Sequence, residues 1–398
     1  MYSELAILAV FTLCYSLVAG RFERSMISGP MVFVVVGFVL GPSALNWLGS
    51  DLDGLGIRVF ADITLAIVLF CDASNANLAV LRKHINIPTR MLLYGLPGAI
   101  LLGFLAGLVL FPNLGVFEIA ALATMLAATD AALGKAVVSS PIVPGRLREG
   151  LNIESGLNDG ICVPILFVFL ALAAGSVAEG EVSELAVHFL VEELGIGLLV
   201  GLSVSFIGAS LIKACHKKGW ITDIWSQNLV LSLALSSFAI AQELGGSGYI
   251  AAFSGGLLFG YLCQEHKHKL LLPTEGIGEI MALLTWLLFG ALVIGNAFEQ
   301  FTWSMLLYAL LSLTLVRMLP IFLVLGKQGG NVPSRLFLGW FGPRGLASIV
   351  FVIIMLDRGL PGGDFMAMTV ICTVFISLIA HGMTAQPLAK WISQRADK

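Results

Sequence analysis

An all-α integral membrane protein of about 13 transmembrane helices is the fold class this sequence predicts, and three observations predict it. Hydrophobic residues make up 58% of the chain and charged residues only 12%, where soluble domains carry about 25% charged. Apolar runs of about 17–25 residues, the length that crosses a bilayer, follow one another with short connections. Basic residues alternate between the two sides of those runs. The net charge of −3 over 398 residues, with no Lys/Arg cluster, excludes a nucleic-acid partner.

Span 1, residues 3–19, is apolar almost from its start and lacks a basic n-region or an A-x-A site, so a first helix rather than a removed signal is expected. Spans 2 (30–48) and 3 (57–74) follow, the latter closing on C-D-A-S-N with Asp72. Spans 4 (89–111), 5 (116–138) and 6 (150–175) come next, and 5 and 6 carry acids within apolar sequence. Span 7 (187–214) ends in lysines, and spans 8 (226–243), 9 (249–265) and 10 (276–298) are separated by brief polar turns. Spans 11 (301–326), 12 (333–357) and 13 (365–391) complete the set, and all 44 glycines suit close helix packing in lipid. Of 22 Lys/Arg, 18 fall on one side of this arrangement, two (Arg58 and Arg358) on the other, and two (Arg317 and Arg344) inside spans. The positive-inside rule then puts the N-terminus outside and the C-terminus in the cytoplasm, with the chain in the cell (inner) membrane. The six cysteines are scattered, form no C-x-x-C, and read as small buried hydrophobes.

Two spans are predicted to be interrupted. Span 5 holds Thr129-Asp130 at mid-depth, and span 12 holds Gly342-Pro343 followed by Arg344. Proline removes a helical hydrogen bond, and freed backbone groups survive in lipid only where protein or a watery cavity receives them. The two spans are seven apart in order, so they cross the membrane in opposite senses. Interrupted helices at matching places of inverted repeats, here spans 4–6 and 11–13, are the signature of a secondary-transporter site near the midplane.

Asp130 and Asp159 are the leading site residues. An acid at bilayer depth costs about 2.5–3.5 kcal/mol even on the lenient scale, and two on adjacent helices exceed what packing needs. Hard cations want oxygen ligands, so Na+ or Li+ is the expected cargo. A carboxylate in a low-dielectric cleft also takes a proton readily, so one oxygen cage competing for cation or proton gives exchange. Ser155 lies four residues before Asp159 on the same face, as a third ligand or a small packing residue. Glu154 needs a basic partner, and Arg344 in broken span 12 is the expected one, clamping spans 6 and 12. Asn158 can donate and accept at once and bridge broken backbone. Asp72 reads as a helix-end acid or an outer ligand, and Arg317 as structural, with no partner legible. His266 and His268 read as solvated loop residues or a pH sensor. Walker, H-E-x-x-H and G-x-S-x-G motifs are absent, so neither ATP drive nor hydrolase chemistry is expected, and the chain is not expected to be an enzyme.

Thr129-Asp130, the run E-S-G-L-N-D-G from Glu154 to Gly160, and Gly342-Pro343-Arg344-Gly345 together resemble the NhaP-type monovalent cation:proton antiporters, relatives of the eukaryotic Na+/H+ exchangers. G-S-G-Y-I-A-A-F-S-G-G-L-L-F-G, from Gly246 to Gly260, is similar to that family's ninth span. The resemblance implies a homodimer in membrane lipid with no cofactor, alternating access, and Na+ or Li+ exchanged for H+ in cellular pH homeostasis. It implies an ion-carrying core (89–175 and 301–391), an interface part (1–74 and 226–298) and a linking helix (187–214). It makes Asp159 the ion and proton carrier, Asp130, Ser155 and the Thr129 carbonyl co-ligands, and Glu154 and Arg344 the interhelical pair. The chain departs from the pattern at Ala131, where the family often has Pro, and at Asp72, where it often has Glu. An Asn-Asp pair rather than Asp-Asp leaves one carboxylate titrating per cycle, hence electroneutral one-for-one exchange. K+/H+ exchange on the same fold is the alternative; an intramembrane aspartyl protease lacks its G-x-G-D, and a channel is the remaining competitor.

Overall fold

In lipid each backbone polar group must be bonded within its own segment, and the described residues form helices and connections with no strand. The structure is a computed structural model. It describes the chain except residues 1, 23–24, 26, 49–53, 77–85, 131–132, 135–136, 138–139, 141, 178–181, 265–266 and 396–398. The helices are α1 (Tyr2–Phe22), α2 (Gly29–Leu40), α3 (Gly54–Asn75), α4 (Ile87–Leu110), α5 (Val116–Met125), α6 (Gly145–Val177) and α7 (Val182–Lys217). They continue as α8 (Leu229–Glu243), α9 (Gly248–Leu262), α10 (Lys267–Ile294), α11 (Trp303–Leu325), α12 (Val332–Trp340), α13 (Leu346–Leu356) and α14 (Gly363–Ser393). With α12 and α13 as the halves of one span, the described helices agree with the expected count of about 13 spans, and eight of them are long and apolar enough to cross a membrane on their own.

Span ends differ from expectation for local reasons. α2 stops at Leu40 rather than near 48, because Gly41 precedes Pro42 and is extended (ψ 176°), as residues before proline tend to be. α10 starts at Lys267, nine residues early, since its basic first turn is helical although not apolar. α5 ends at Met125 and residues 128–130 are non-helical, the interruption expected in span 5; part of the remainder lies outside the described residues. α12 and α13 are separated by the non-helical stretch 341–345.

α4, α10 and α11 each contain a π-helical turn, Met91–Gly95, Phe289–Ile294 and Ser312–Val316. Within one group of helices α4 packs on α5 and α11, α5 on α6, and α14 on α11 and α13. In a second group α9 packs on α3, α7 and α8, and α10 on α2 and α3. Glycine permits the closest approaches: a Cβ at Gly37 or Gly290 would run into the backbone of the facing helix, Leu287 or Val34 respectively. α6 runs against α3 and α7, where the groups meet.

Candidate functional site

Two unwound segments cross in the middle of the fold, residues 128–130 after α5 and residues 341–345 between α12 and α13. The Asp130 N–H donates to the Pro343 carbonyl at 2.8 Å. The Leu346 N–H donates to Asp130 Oδ2 at 2.9 Å, and the Leu133 N–H approaches Oδ1 at 3.4 Å. Asp130 therefore sits at the positive N-terminal end of α13, where an anion is stabilised. Gly345 makes this possible through space: a Cβ there would overlap the Asp130 carboxylate.

Four of the carbonyls freed by unwinding have side-chain donors. Ser348 Oγ donates to the Met125 carbonyl (2.8 Å), Asn158 Nδ2 to that of Ala127 (3.3 Å) and Arg344 Nη1 to that of Ala128 (3.2 Å). Ser155 Oγ donates to the Thr129 carbonyl at 2.7 Å. Arg344 also reaches the Ser312 carbonyl (3.4 Å), at the start of the π-turn of α11. Asn158 further donates to Thr129 Oγ1 (3.2 Å) and Glu154 Oε1 (3.0 Å), and accepts from Cys162 Sγ (3.1 Å).

The expected Glu154–Arg344 pair does not form. Arg317 grips Glu154 with both nitrogens, Nη1 to Oε1 at 2.8 Å and Nη2 to Oε2 at 2.9 Å, and both side chains are 1% exposed. The clamp thus joins α6 to α11, and Arg344 serves backbone carbonyls instead. The reason is local: the π-turn ends at Arg317, and Gly342 leaves room for its guanidinium, which a Cβ there would meet. Sequence offered two buried arginines for one acid and no measure of reach. The signal for Arg317 was its presence at mid-span, where a charge without a partner is not tolerated.

A cavity of about 350 Å³ leads to this crossing. Asp72, Asp130 and Asp159 line it, with Glu275 and Glu279 of α10, two acids that sequence inspection passed over. Thr129 and Ser155 are bonded to each other beside the cavity rather than on its wall. The Asp159 carboxylate is bonded by the Thr129 backbone, while its Oδ1 is buried without a hydrogen-bond partner. Gly156 brings α6 against the Asp72 backbone, and Gly160 accommodates the Phe253 ring of α9. His268 starts α10 outside the cavity lining, and His266 lies outside the described residues.

The cavity lining reaches the surface at the α1–α2 connection, where Ile27 is exposed, and at Asn75, the exposed last residue of α3, which places the mouth there. Those residues belong to the side whose connections carry the basic residues. At the other end Arg58 of α3 pairs with Asp357 at the end of α13 (2.6 Å), and Arg358 with Glu193 of α7 (3.3 Å). Tyr249 of α9 donates to Asp62 at 2.6 Å, and Glu118 accepts the Gly362 N–H at 2.9 Å.

Comparison with known proteins gives consistent matches. Residues 7–391 match the family described as sodium/hydrogen exchanger, transmembrane. A K(+)/H(+) antiporter NhaP2 of Shewanella sp. (strain ANA-3) is 24% identical over 97% of this chain and 66% of its own length. A Na(+)/H(+) antiporter of Saccharomyces cerevisiae is 26% identical over 88% of this chain and 37% of its own. The chain therefore spans less than two thirds of the length of these relatives. The sodium proton antiporter MjNhaP1 from Methanocaldococcus jannaschii superposes with a TM-score of 0.79 at 22% identity, covering 99% of this chain and 98% of that one.

Proposed function

This chain belongs to the sodium/hydrogen exchanger family, and from that premise we propose that it is a secondary antiporter exchanging a monovalent cation for H+ by alternating access. One observation carries the reading: Asp159 Oδ1 is buried without a donor at a cavity that also reaches Asp130. Buried carboxylate oxygens are costly unless paired, and a proton or a dehydrated cation supplies the partner. In this reading the cation replaces the proton on Asp159 and draws on the oxygens of Thr129, Ser155 and Asp130. Asp72 lies on the approach, and Glu275 and Glu279 give the vestibule a negative field that concentrates cations.

Asp130 is committed to the α13 N-terminus and Glu154 to Arg317; with Asp72 assigned to the approach, this reading gives Asp159 the titrating role and one proton per cation. Exchange is then electroneutral. The sign with pH follows: raising pH removes the competing proton and tightens cation binding, and lowering it evicts the cation. The roles of core (89–175, 301–391) and interface (1–74, 226–298), homodimerisation, and a cell-membrane setting with the cavity mouth in the cytoplasm complete the proposal.

Na+ or Li+ is the proposed cargo. K+ is the second reading, favoured by the K(+)/H(+) name of the Shewanella relative. Acid-loaded proteoliposomes challenged separately with Na+, Li+ and K+ decide it. Proton release is expected with Na+ and Li+, independent of an imposed membrane potential. Release with K+ alone selects the second reading, and release with none rejects antiport.

A further inference from the structure

Helix α14 carries a buried polar pair to which the ion site above assigns no role. Ser377 and His381 stand one turn apart, 0% and 1% exposed, facing the unwound stretch 341–345. The His381 ring stacks on Trp340, centroids 5.0 Å apart, with Phe341 at 6.4 Å. A carbonyl oxygen only accepts, so His381 Nε2 donates to the Trp340 carbonyl at 2.9 Å. Nδ1 faces Ser377 Oγ at 3.1 Å and the Ser377 carbonyl at 3.0 Å. Burying a charge without a partner is costly, so the ring is neutral: with Nε2 protonated, its bare Nδ1 accepts the Ser377 hydroxyl proton and makes no bond to the nearby Ser377 carbonyl. That hydroxyl in turn accepts the Arg344 N–H at 2.7 Å. The donors run in one direction: Arg344 N–H to Ser377 Oγ, Ser377 O–H to His381 Nδ1, His381 Nε2–H to the Trp340 carbonyl. The chain of bonds closes a loop over residues 340–344.

That loop presents the Pro343 carbonyl to the Asp130 N–H and begins α13, whose Leu346 N–H holds Asp130 Oδ2. We propose that His381, acting with Ser377, is a positioning residue for the cation site: it fixes the crossing that sets Asp130, without touching the ion. This deepens the antiport reading and rests on it for the identity of the site. A purely packing role would ask only for volume and apolar contact at position 381; a hydrogen-bonded positioning role asks for a donor at one end and an acceptor at the other.

The test uses the full chain purified in detergent, its melting temperature titrated with NaCl or KCl at constant ionic strength, alongside dye-monitored exchange in vesicles. His381→Ala and Ser377→Ala are expected to raise the half-saturating cation concentration about five- to tenfold, the factor for losing one buried hydrogen bond. His381→Gln, whose amide can donate to the Trp340 carbonyl and accept from Ser377, is expected to stay within about twofold of wild type. Wild-type half-saturation in His381→Ala, or a His381→Gln as weak as His381→Ala, overturns the proposal. If His381→Ala does not fold, Ser377→Ala decides in the same way, because it removes a single oxygen. A wild type that binds cation without exchanging it sinks the antiport reading alone, and one that shows no cation effect sinks both.

Discussion

At the scale of residues, the site separates charges that hold the fold from the one free to change partners. Glu154 and Arg317 form a bidentate pair away from solvent, so removing one partner strands the other; Glu154→Gln is expected to lose about 3–5 kcal/mol. Chemical denaturation checks this, and a Glu154→Gln that unfolds like wild type but changes its cation preference would place Glu154 in the ion path instead. Asp159 is the opposite case. Its Oδ1 has no donor, so Asp159→Asn is expected to melt at or above the wild-type temperature while exchange falls to background. Sequence marked Asp130, Asp159, Glu154, Asn158 and Arg344 as worth placing, because polar groups at bilayer depth need a reason. It assigned Glu154 to Arg344, where the structure pairs it with Arg317. Two arginines were available, and which one reaches an acid across the bundle depends on a π-turn at 312–316 and the space at Gly342, neither of which has a sequence signature.

At the scale of elements, the crossing of 128–130 with 341–345 is the part that a small change would break. Gly345→Ala puts a methyl group into the Asp130 carboxylate, so loss of cation-dependent stabilisation is expected in a protein that still inserts as helices. Circular dichroism together with a cation melting titration measures both; retained cation binding would mean the crossing adjusts freely. The break in the twelfth span was legible because Pro343 lacks an N–H and Gly342 precedes it. The break in span 5 was legible from Thr129-Asp130, but not that the helix ends as early as Met125. Residues 121–127 read A-L-A-T-M-L-A, strong helix formers, and the helix ends there because Ser348, Asn158 and Arg344 take its last carbonyls. That is a tertiary effect overriding local preference.

At the scale of the molecule, the alternation of basic and acidic connections was enough to count the crossings, since a missed helix would have inverted every later connection. The same alternation singles out Arg58 and Arg358, and both stand in ion pairs at the end opposite the cavity mouth. Exposed pairs contribute about 0–1 kcal/mol, which suits a contact that opens in the proposed alternating-access cycle. Arg58→Ala is expected to shift the population away from the state with the open cavity by up to about fivefold, read as slower labelling of a cysteine placed by Asn75→Cys. Unchanged labelling would make the pair incidental. The central claim, that cation and proton compete for one buried carboxylate, is tested most directly without transport. Protons released when Na+ or K+ is added to weakly buffered, detergent-purified protein are counted against cation bound. About one proton per bound cation in wild type and none in Asp159→Asn is the predicted result. Cation binding without proton release, or equal release from Asp159→Asn, would contradict it.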